Sequence, residues 1–81
     1  MIYKKVVHVL AHYGIEAETV TYEASFTKDL GLDSLDYVEL TMEMEIAFNL
    51  DIPTDRSEKV DTVKDLVTLV EALKKEQLAI S

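Results

Sequence analysis

Apolar residues recur at helical spacing in two stretches near the ends of the chain. The first stripe falls at positions i, i+4, i+7, i+8 and i+11 and consists of Ile2, Val6, Val9, Leu10 and Tyr13. Gly14 follows directly, where a helix is expected to end. The second stripe consists of Val63, Leu66, Val67, Val70 and Leu73. Asp61 precedes it and is the predicted N-cap. Both stripes predict amphipathic helices that pack on a shared core.

A third helix is predicted from Ser34 to about Asn49, and it has two apolar faces. One face carries Leu35, Val38, Met42 and Ile46. The opposite face carries Tyr37, Leu40, Met44, Ala47 and Phe48. Only one face of a helix in so small a domain can meet the core, and we assign the face with the phenylalanine to it. The other face is predicted to be exposed and to contact a partner. Burial of both faces, as in a homodimer, is the alternative.

The remaining segments complete an all-α prediction. From Gly14 to Asp33 the chain shows no sustained period, so we predict a loop in which Phe26 and Leu30 contact the core. Pro53 ends the middle helix region, and a short helix is predicted over residues 54–59. The expected fold is a small bundle of three main helices plus one short helix, with a long loop between the first and second helices. Residues 1–81 form a single domain in this interpretation.

The negative charge of the chain is concentrated in its middle. The formal net charge is −8, from 16 acids and 8 bases. The stretch from residue 29 to residue 51 has no Lys or Arg and contains Asp29, Asp33, Asp36, Glu39, Glu43, Glu45 and Asp51. This balance argues against binding to nucleic acid or to an anionic membrane, because both need basic residues. A helix face that serves only stability usually pairs Glu with Lys. The patch is therefore a candidate partner surface, with a solvated helix face as the alternative.

The composition argues against several further classes of site. The chain has no Cys, so it has no disulfide, thiolate metal site or thiol nucleophile. No apolar run is long enough to span a membrane, and the first residues do not resemble a signal peptide. His8 and His12 have a metal-binding spacing, but no third ligand is evident nearby, so no metal site is predicted. The segment before Ser34 is not a nucleophile elbow. We expect a non-catalytic, cytoplasmic protein.

The start of the middle helix carries the candidate chemistry. Asp33 is a good N-cap, and Asp36 three residues later approximates a capping box. If Asp33 is the cap, Ser34 is the first helical residue and its hydroxyl is free. A helix N-terminus favours an anion, which suits the attachment of a phosphate there. The local pattern leaves open the alternative that Ser34 is itself the cap.

The segment around Ser34 resembles the 4′-phosphopantetheine attachment motif of the acyl carrier proteins. It consists of Asp29-Leu30-Gly31, Asp33-Ser34-Leu35-Asp36 and Val38-Glu39-Leu40. Three further segments resemble the same family, namely Ala24-Ser25-Phe26, Phe48-Asn49-Leu50-Asp51-Ile52-Pro53 and Glu58-Lys59-Val60-Asp61-Thr62-Val63. The likeness extends from about Gly14 to Leu73 without a gap.

The resemblance implies a carrier whose Ser34 is esterified to 4′-phosphopantetheine from coenzyme A by a holo-carrier-protein synthase. The thiol of that arm would carry acyl groups as thioesters between enzymes of fatty-acid biosynthesis. The second helix of a monomer would dock on basic surfaces of the synthase and of acyl-transferring, condensing and reducing enzymes. The implied docking residues are Asp33, Leu35, Asp36, Val38, Glu39, Met42, Glu43 and Glu45. The implied acyl-pocket residues are Phe26, Leu40, Met44, Phe48, Ile52, Val60, Leu66, Val67 and Val70.

Two residues depart from the pattern of the family. Ile46 lies on the docking stripe in a region where many members carry a run of acids. Tyr37 stands beside the attachment motif, where a small residue is common. Both indicate the alternative of a specialised carrier, for polyketide or other secondary metabolism. An unmodified acidic helical module that binds a basic partner is a further alternative.

Overall fold

The structure, a computed structural model, describes residues 1–80 and the side chains of residues 1–78. Four helices follow one another in this part of the chain, namely α1 (Ile2–Ala11), α2 (Ser34–Phe48), α3 (Thr54–Ser57) and α4 (Val63–Ile80). A 3₁₀ turn, Ala17–Thr19, interrupts the long loop between α1 and α2. The described residues form no strand, only an isolated bridge between Ser25 and Thr62. The all-α bundle of three main helices and one short helix is thus confirmed.

The end of α1 is built around Gly14, as predicted. The Gly14 N–H donates to the Ala11 carbonyl at 3.1 Å, and the Ile15 N–H donates to the Leu10 carbonyl at 3.3 Å. This pair of bonds requires a left-handed residue, and Gly14 has φ +78°. Because glycine has no Cβ, it adopts this conformation at little cost and turns the chain away from the helix.

The core lies where α1 packs against α2 and α4, with α3 against α4. Its most deeply buried side chains are Val6, Val9, Leu10, Phe26, Leu40, Met44, Val63, Leu66 and Val70. The apolar stripes that predict the helices supply all of these residues except Phe26, which comes from the long loop. No helix in the described part of the chain combines the length and the apolar character needed to cross a bilayer.

The two faces of α2 separate as predicted, except that Ala47, on the face assigned to the core, is exposed. Leu40 and Met44 are fully buried, and Phe48 is half-buried. On the opposite face the exposed fractions are 75% for Leu35, 50% for Val38, 54% for Met42 and 81% for Ile46. The α2 helix therefore presents an apolar stripe to solvent in the single chain.

The long loop is attached to the start of α4 by hydrogen bonds. The Ser25 hydroxyl donates to Asp61 Oδ1 at 2.8 Å, and the Phe26 N–H donates to the Asp61 carbonyl at 2.9 Å. The Val63 N–H donates to the Ala24 carbonyl at 3.0 Å. The first turn of a helix has N–H groups without intrahelical partners, and the loop carbonyl of Ala24 accepts from one of these groups in α4. The loop is thereby a fixed part of the fold.

The N-cap of α4 is Thr62 and not Asp61, which corrects the sequence prediction. The Asp65 N–H donates to Thr62 Oγ1 at 3.2 Å, and the Thr62 N–H donates to Asp65 Oδ2 at 3.1 Å. These two bonds form a capping box. Asp61 lies one residue before the cap position, and its carboxylate accepts the hydrogen bond from Ser25 instead. Hydrogen bonds from the Thr62 and Asp61 N–H groups lower the pKa of the Asp65 carboxyl.

Candidate functional site

A capping box closes the N-terminus of α2 and leaves Ser34 out of it. Asp33 Oδ1 accepts from the Asp36 N–H at 2.9 Å, and Asp36 Oδ2 accepts from the Asp33 N–H at 3.3 Å. Asp33 is therefore the N-cap, as predicted, and Ser34 is the first residue of the helix. Ser34 is exposed, and its hydroxyl makes no hydrogen bond to another described residue. The hydroxyl is open to an incoming group.

The turn that presents Ser34 is held by Leu32. Gly31 has φ +72°, and the Leu32 N–H that follows donates to the Phe26 carbonyl at 2.9 Å. The Leu32 side chain is buried, whereas Leu30, which the sequence favoured as an anchor, is half-buried. An apolar residue directly before an N-cap is a known signal for such anchoring, and it was available in the sequence.

A cavity of about 350 Å³ opens beside Ser34. Its walls come from α2, from α3 and the turn that follows it, and from the long loop. Phe26 contributes from the loop, Tyr37 and Val38 from α2, and Val60 from the turn before α4. The attachment candidate and the cavity therefore share one site, which the motif alone does not define.

The structure places the nine predicted acyl-pocket residues in two groups. Phe26 and Val60 line the cavity beside Ser34. The other seven line no part of it and belong to the core or pack against it, namely Leu40, Met44, Phe48, Ile52, Leu66, Val67 and Val70. Periodicity identifies them as buried, but burial alone does not distinguish a core residue from a residue at a cavity wall.

Tyr37 bridges α2 and α3 at the edge of this cavity. Its hydroxyl donates to the Ser57 carbonyl at 2.8 Å. Its ring lies against Phe26, with 5.5 Å between the ring centroids. Burial, with a smaller contribution from the charge of Asp65, raises the pKa of the Tyr37 phenol to about 12. Tyr37 thus stays a neutral hydrogen-bond donor at physiological pH.

The acids of α2 fall into distinct environments. Glu39 is exposed, whereas Glu43 and Glu45 are half-buried. Glu45 Oε2 accepts a hydrogen bond from the Ile52 N–H at 2.7 Å, so this carboxylate holds the segment after α2. Glu39 and Glu43 lie beside the exposed stripe of Leu35, Val38 and Met42, in the order that the helical spacing predicts.

Two residues at the end of α1 reach the acids of α2. The Tyr13 hydroxyl lies 3.4 Å from Glu43 Oε2 and 3.5 Å from Glu39 Oε1. His12 Nδ1 lies 3.4 Å from Glu43 Oε1. Burial, followed by the charges of Glu39 and Glu43, raises the pKa of the Tyr13 phenol to about 12. Sequence reasoning missed these contacts because they depend on the packing of α1 on α2.

The two histidines of α1 lie next to each other. The rings of His8 and His12 meet edge to face, with 5.5 Å between their centroids. The described residues contain no group of three or more His, Cys, Asp or Glu side chains placed to hold a metal ion.

A family model described as the phosphopantetheine attachment site matches residues 5–70 of the chain. The matched region includes Ser34, the whole of α2 and every residue that lines the cavity. Domains of this kind are attachment sites for the 4′-phosphopantetheine prosthetic group, and they act as carriers and not as catalysts. An exposed hydroxyl at a helix N-terminus beside a cavity fits a phosphate ester that continues into a flexible arm.

Proposed function

Because this chain belongs to the family of phosphopantetheine attachment domains, we propose that it carries acyl groups as thioesters on an arm attached to Ser34. It would pass them among enzymes of fatty-acid or related biosynthesis without catalysing a step itself. The observation that carries the proposal is the exposed Ser34 hydroxyl, which the capping box leaves unbound at the start of α2.

The surroundings of the other described serines support Ser34 as the attachment residue. Ser25 is buried, and its hydroxyl donates to Asp61. The Ser57 hydroxyl donates to the Thr54 carbonyl at 3.0 Å, within the short helix α3. Only Ser34 of these three combines exposure with a place at the N-terminus of a long helix, where the helix dipole favours an anion.

The attachment step uses coenzyme A as the donor and a separate synthase as the catalyst. Ser34 Oγ loses its proton to a base of the synthase and forms a bond to the phosphorus atom of the 4′-phosphopantetheine group. The pyrophosphate bond of coenzyme A breaks, and 3′,5′-adenosine bisphosphate leaves. The arm supplies a thiol for thioester formation, which a chain without Cys cannot supply.

The exposed face of α2 suits transient docking on basic enzymes. Its apolar stripe is available to fill a shallow partner surface, and the acids beside it can meet Lys or Arg on a synthase or on acyl-transferring, condensing and reducing enzymes. Charge complementarity of this kind speeds association without requiring tight binding. A carrier needs fast association and weak binding, since it must leave each enzyme after delivery.

The second candidate function is that of a specialised carrier, for polyketide or other secondary metabolism. Ile46 is 81% exposed on the docking face, and Tyr37 occupies the cavity wall. An apolar residue on the lower part of α2 favours partners that contact it through packing as well as charge.

Co-expression with a holo-carrier-protein synthase tests the attachment. Intact mass spectrometry of the purified protein should show a gain of one phosphopantetheinyl group. The gain should disappear in the Ser34→Ala variant, because the only proposed acceptor is then missing. It should persist in the Ser57→Ala variant, which removes a hydroxyl from the same cavity.

An unchanged mass under conditions that fully modify a control carrier protein would contradict the carrier proposal and support the unmodified interaction module. A gain that persists in Ser34→Ala would place the attachment on another residue.

A further inference from the structure

Tyr37 lies between the cavity beside Ser34 and the buried core. It lines the cavity and also packs against the core cluster. On the core side, Leu40 and Met44 of α2 and Leu66 of α4 are fully buried and line no part of the cavity. The Tyr37 side chain therefore forms part of the boundary between the cavity and the packed interior, together with Phe26 and Val60.

The Tyr37 ring is held at both ends. Its hydroxyl is bound to the Ser57 carbonyl of α3, and its ring contacts Phe26 of the long loop. The loop is in turn attached to α4 through Ser25 and Asp61. Displacing the ring toward the core would break the bond to Ser57 and overpack a region that contains fully buried side chains. The boundary is thus a fixed wall.

Three of the hydroxyl groups around the cavity are already bound to backbone carbonyls. Tyr37 donates to Ser57, the Thr41 hydroxyl donates to the Val38 carbonyl at 2.7 Å, and the Ser57 hydroxyl donates to Thr54. These three donors are satisfied without a ligand, so they do not require a polar guest. The side chains of Phe26, Val38 and Val60 then favour an apolar one.

We propose that Tyr37 limits the length of the acyl chain that this carrier shelters, so that short acyl groups enter the cavity and long alkyl chains stay outside. This inference rests on the proposed attachment at Ser34. The volume of about 350 Å³ is at the lower end of the range of small-molecule pockets, about 300–1,000 Å³. Tyr37 is in this view a specificity-determining residue, and the core residues beyond it are not part of the acyl site.

The test compares acyl groups of increasing length on the same protein. A holo-carrier-protein synthase would load the apo protein from acetyl-, butyryl-, hexanoyl-, octanoyl-, dodecanoyl- and hexadecanoyl-coenzyme A, with loading confirmed by intact mass. The measured quantity is the rate at which hydroxylamine cleaves each thioester, because a sheltered chain draws the thioester out of solvent. Each methylene that enters the cavity should slow cleavage by up to about fourfold.

In the wild-type protein, protection should rise over the short chains and stop rising by octanoyl. In Tyr37→Thr the rise should continue to dodecanoyl, because the wall is removed. Tyr37→Leu, which keeps an apolar side chain against the core, provides a second opened wall if the threonine variant does not fold. The exposed Tyr22 gives the matched control, and Tyr22→Thr should keep the wild-type limit.

Protection that rises continuously to hexadecanoyl in the wild-type protein would overturn the proposed limit without the need of any variant. An unchanged limit in a folded Tyr37 variant would overturn the role of this residue. Both results leave the carrier function intact, because the mass measurement shows loading. An absence of loading from every donor would instead overturn the attachment at Ser34, and the length limit with it.

Discussion

At the scale of single residues, the protonation of the Tyr37 phenol is linked to the stability of the fold. The Tyr37 phenol has its pKa raised, chiefly by burial, from the ordinary value of 10.0 to about 12. The folded state therefore keeps this proton at pH values where the unfolded chain has lost it. The raised pKa of Tyr37 therefore contributes to the free energy of unfolding. This contribution is fully present below pH 10, and it is lost as the pH rises from 10 through about 12.

Alkaline unfolding should reveal this linkage in Tyr37→Phe. The variant loses the bond to the Ser57 carbonyl, which should lower the free energy of unfolding at neutral pH by about 1 kcal/mol. Above pH 10 the wild-type protein should lose stability more steeply than the variant, which has no phenol to ionise at this position. Urea unfolding followed by circular dichroism at several pH values measures both effects. Tyr22→Phe is the control, and parallel pH profiles for the wild type and Tyr37→Phe would contradict the prediction.

At the scale of elements, the acids of α2 differ in how far they take part in hydrogen bonds within the fold. Glu45 stabilises the chain after α2 through the Ile52 N–H, and Asp33 and Asp36 form the capping box. Glu43 contacts both His12 and Tyr13, whereas Glu39 is exposed and has only the longer contact with the Tyr13 hydroxyl, at 3.5 Å. Glu39 contributes least to the hydrogen bonds of the fold, so its charge is the most available to a partner.

Alanine substitutions at Glu39 and Glu45 should separate the two kinds of acid. Glu39→Ala should slow modification by a holo-carrier-protein synthase about two- to fivefold, because an exposed ion pair contributes up to about 1 kcal/mol. It should leave the free energy of unfolding nearly unchanged. Glu45→Ala should lower the free energy of unfolding by about 1–3 kcal/mol, because the Ile52 N–H loses its acceptor.

The modification rate of the wild-type protein should also fall as salt rises, since exposed charges are screened. Rates that do not depend on salt, or a Glu39→Ala rate equal to that of the wild type, would argue against docking led by charge. A Glu45→Ala variant as stable as the wild type would contradict the structural role of that carboxylate.

At the scale of the whole molecule, the long loop decides the shape of the site. It supplies Phe26 to the core and to the cavity, and it supplies the turn that presents Ser34. Its attachment to α4 through Ser25 and Asp61 fixes the loop relative to the helices. A chain of 81 residues has a small core, so one part-buried polar link between the loop and α4 is expected to contribute measurably to its stability.

Removing the Ser25 hydroxyl should therefore destabilise the entire fold. Ser25→Ala leaves Asp61 Oδ1 without its donor and the Lys28 N–H without its acceptor. Because Asp61 and Lys28 are exposed and water can replace the lost hydroxyl, we expect a loss of about 1 kcal/mol in the free energy of unfolding, measured by urea denaturation. Ser57→Ala, which removes a hydroxyl bond local to α3, should cost less. Equal stabilities of Ser25→Ala and the wild type would show that the loop is held by its apolar contacts alone.

The features that the sequence by itself determined are those that depend on neighbours within one or two helical turns. The stripes that predict α1, α2 and α4 have a helical period, and the cap at Asp33 and the turn at Gly14 depend on residues three to five positions away. The free hydroxyl of Ser34 follows from the cap at Asp33, although the local pattern also allowed Ser34 itself to be the cap and the capping box in the structure decides for Asp33. These features are predictable because their hydrogen bonds close within a short segment.

The tertiary structure decided which residues from distant segments meet. The sequence assigned the cap of α4 to Asp61, but Ser25, from the loop, takes that carboxylate, and Thr62 is the cap. Tyr37 contacts Ser57 and Phe26 at the edge of the cavity, and Glu45 accepts a hydrogen bond from the Ile52 N–H. Such contacts depend on how the helices and the loop pack, and no periodicity along the chain encodes which side chain fills which gap. The position of Ser34 is thus a local property, whereas the size of the space beside it is a property of the fold.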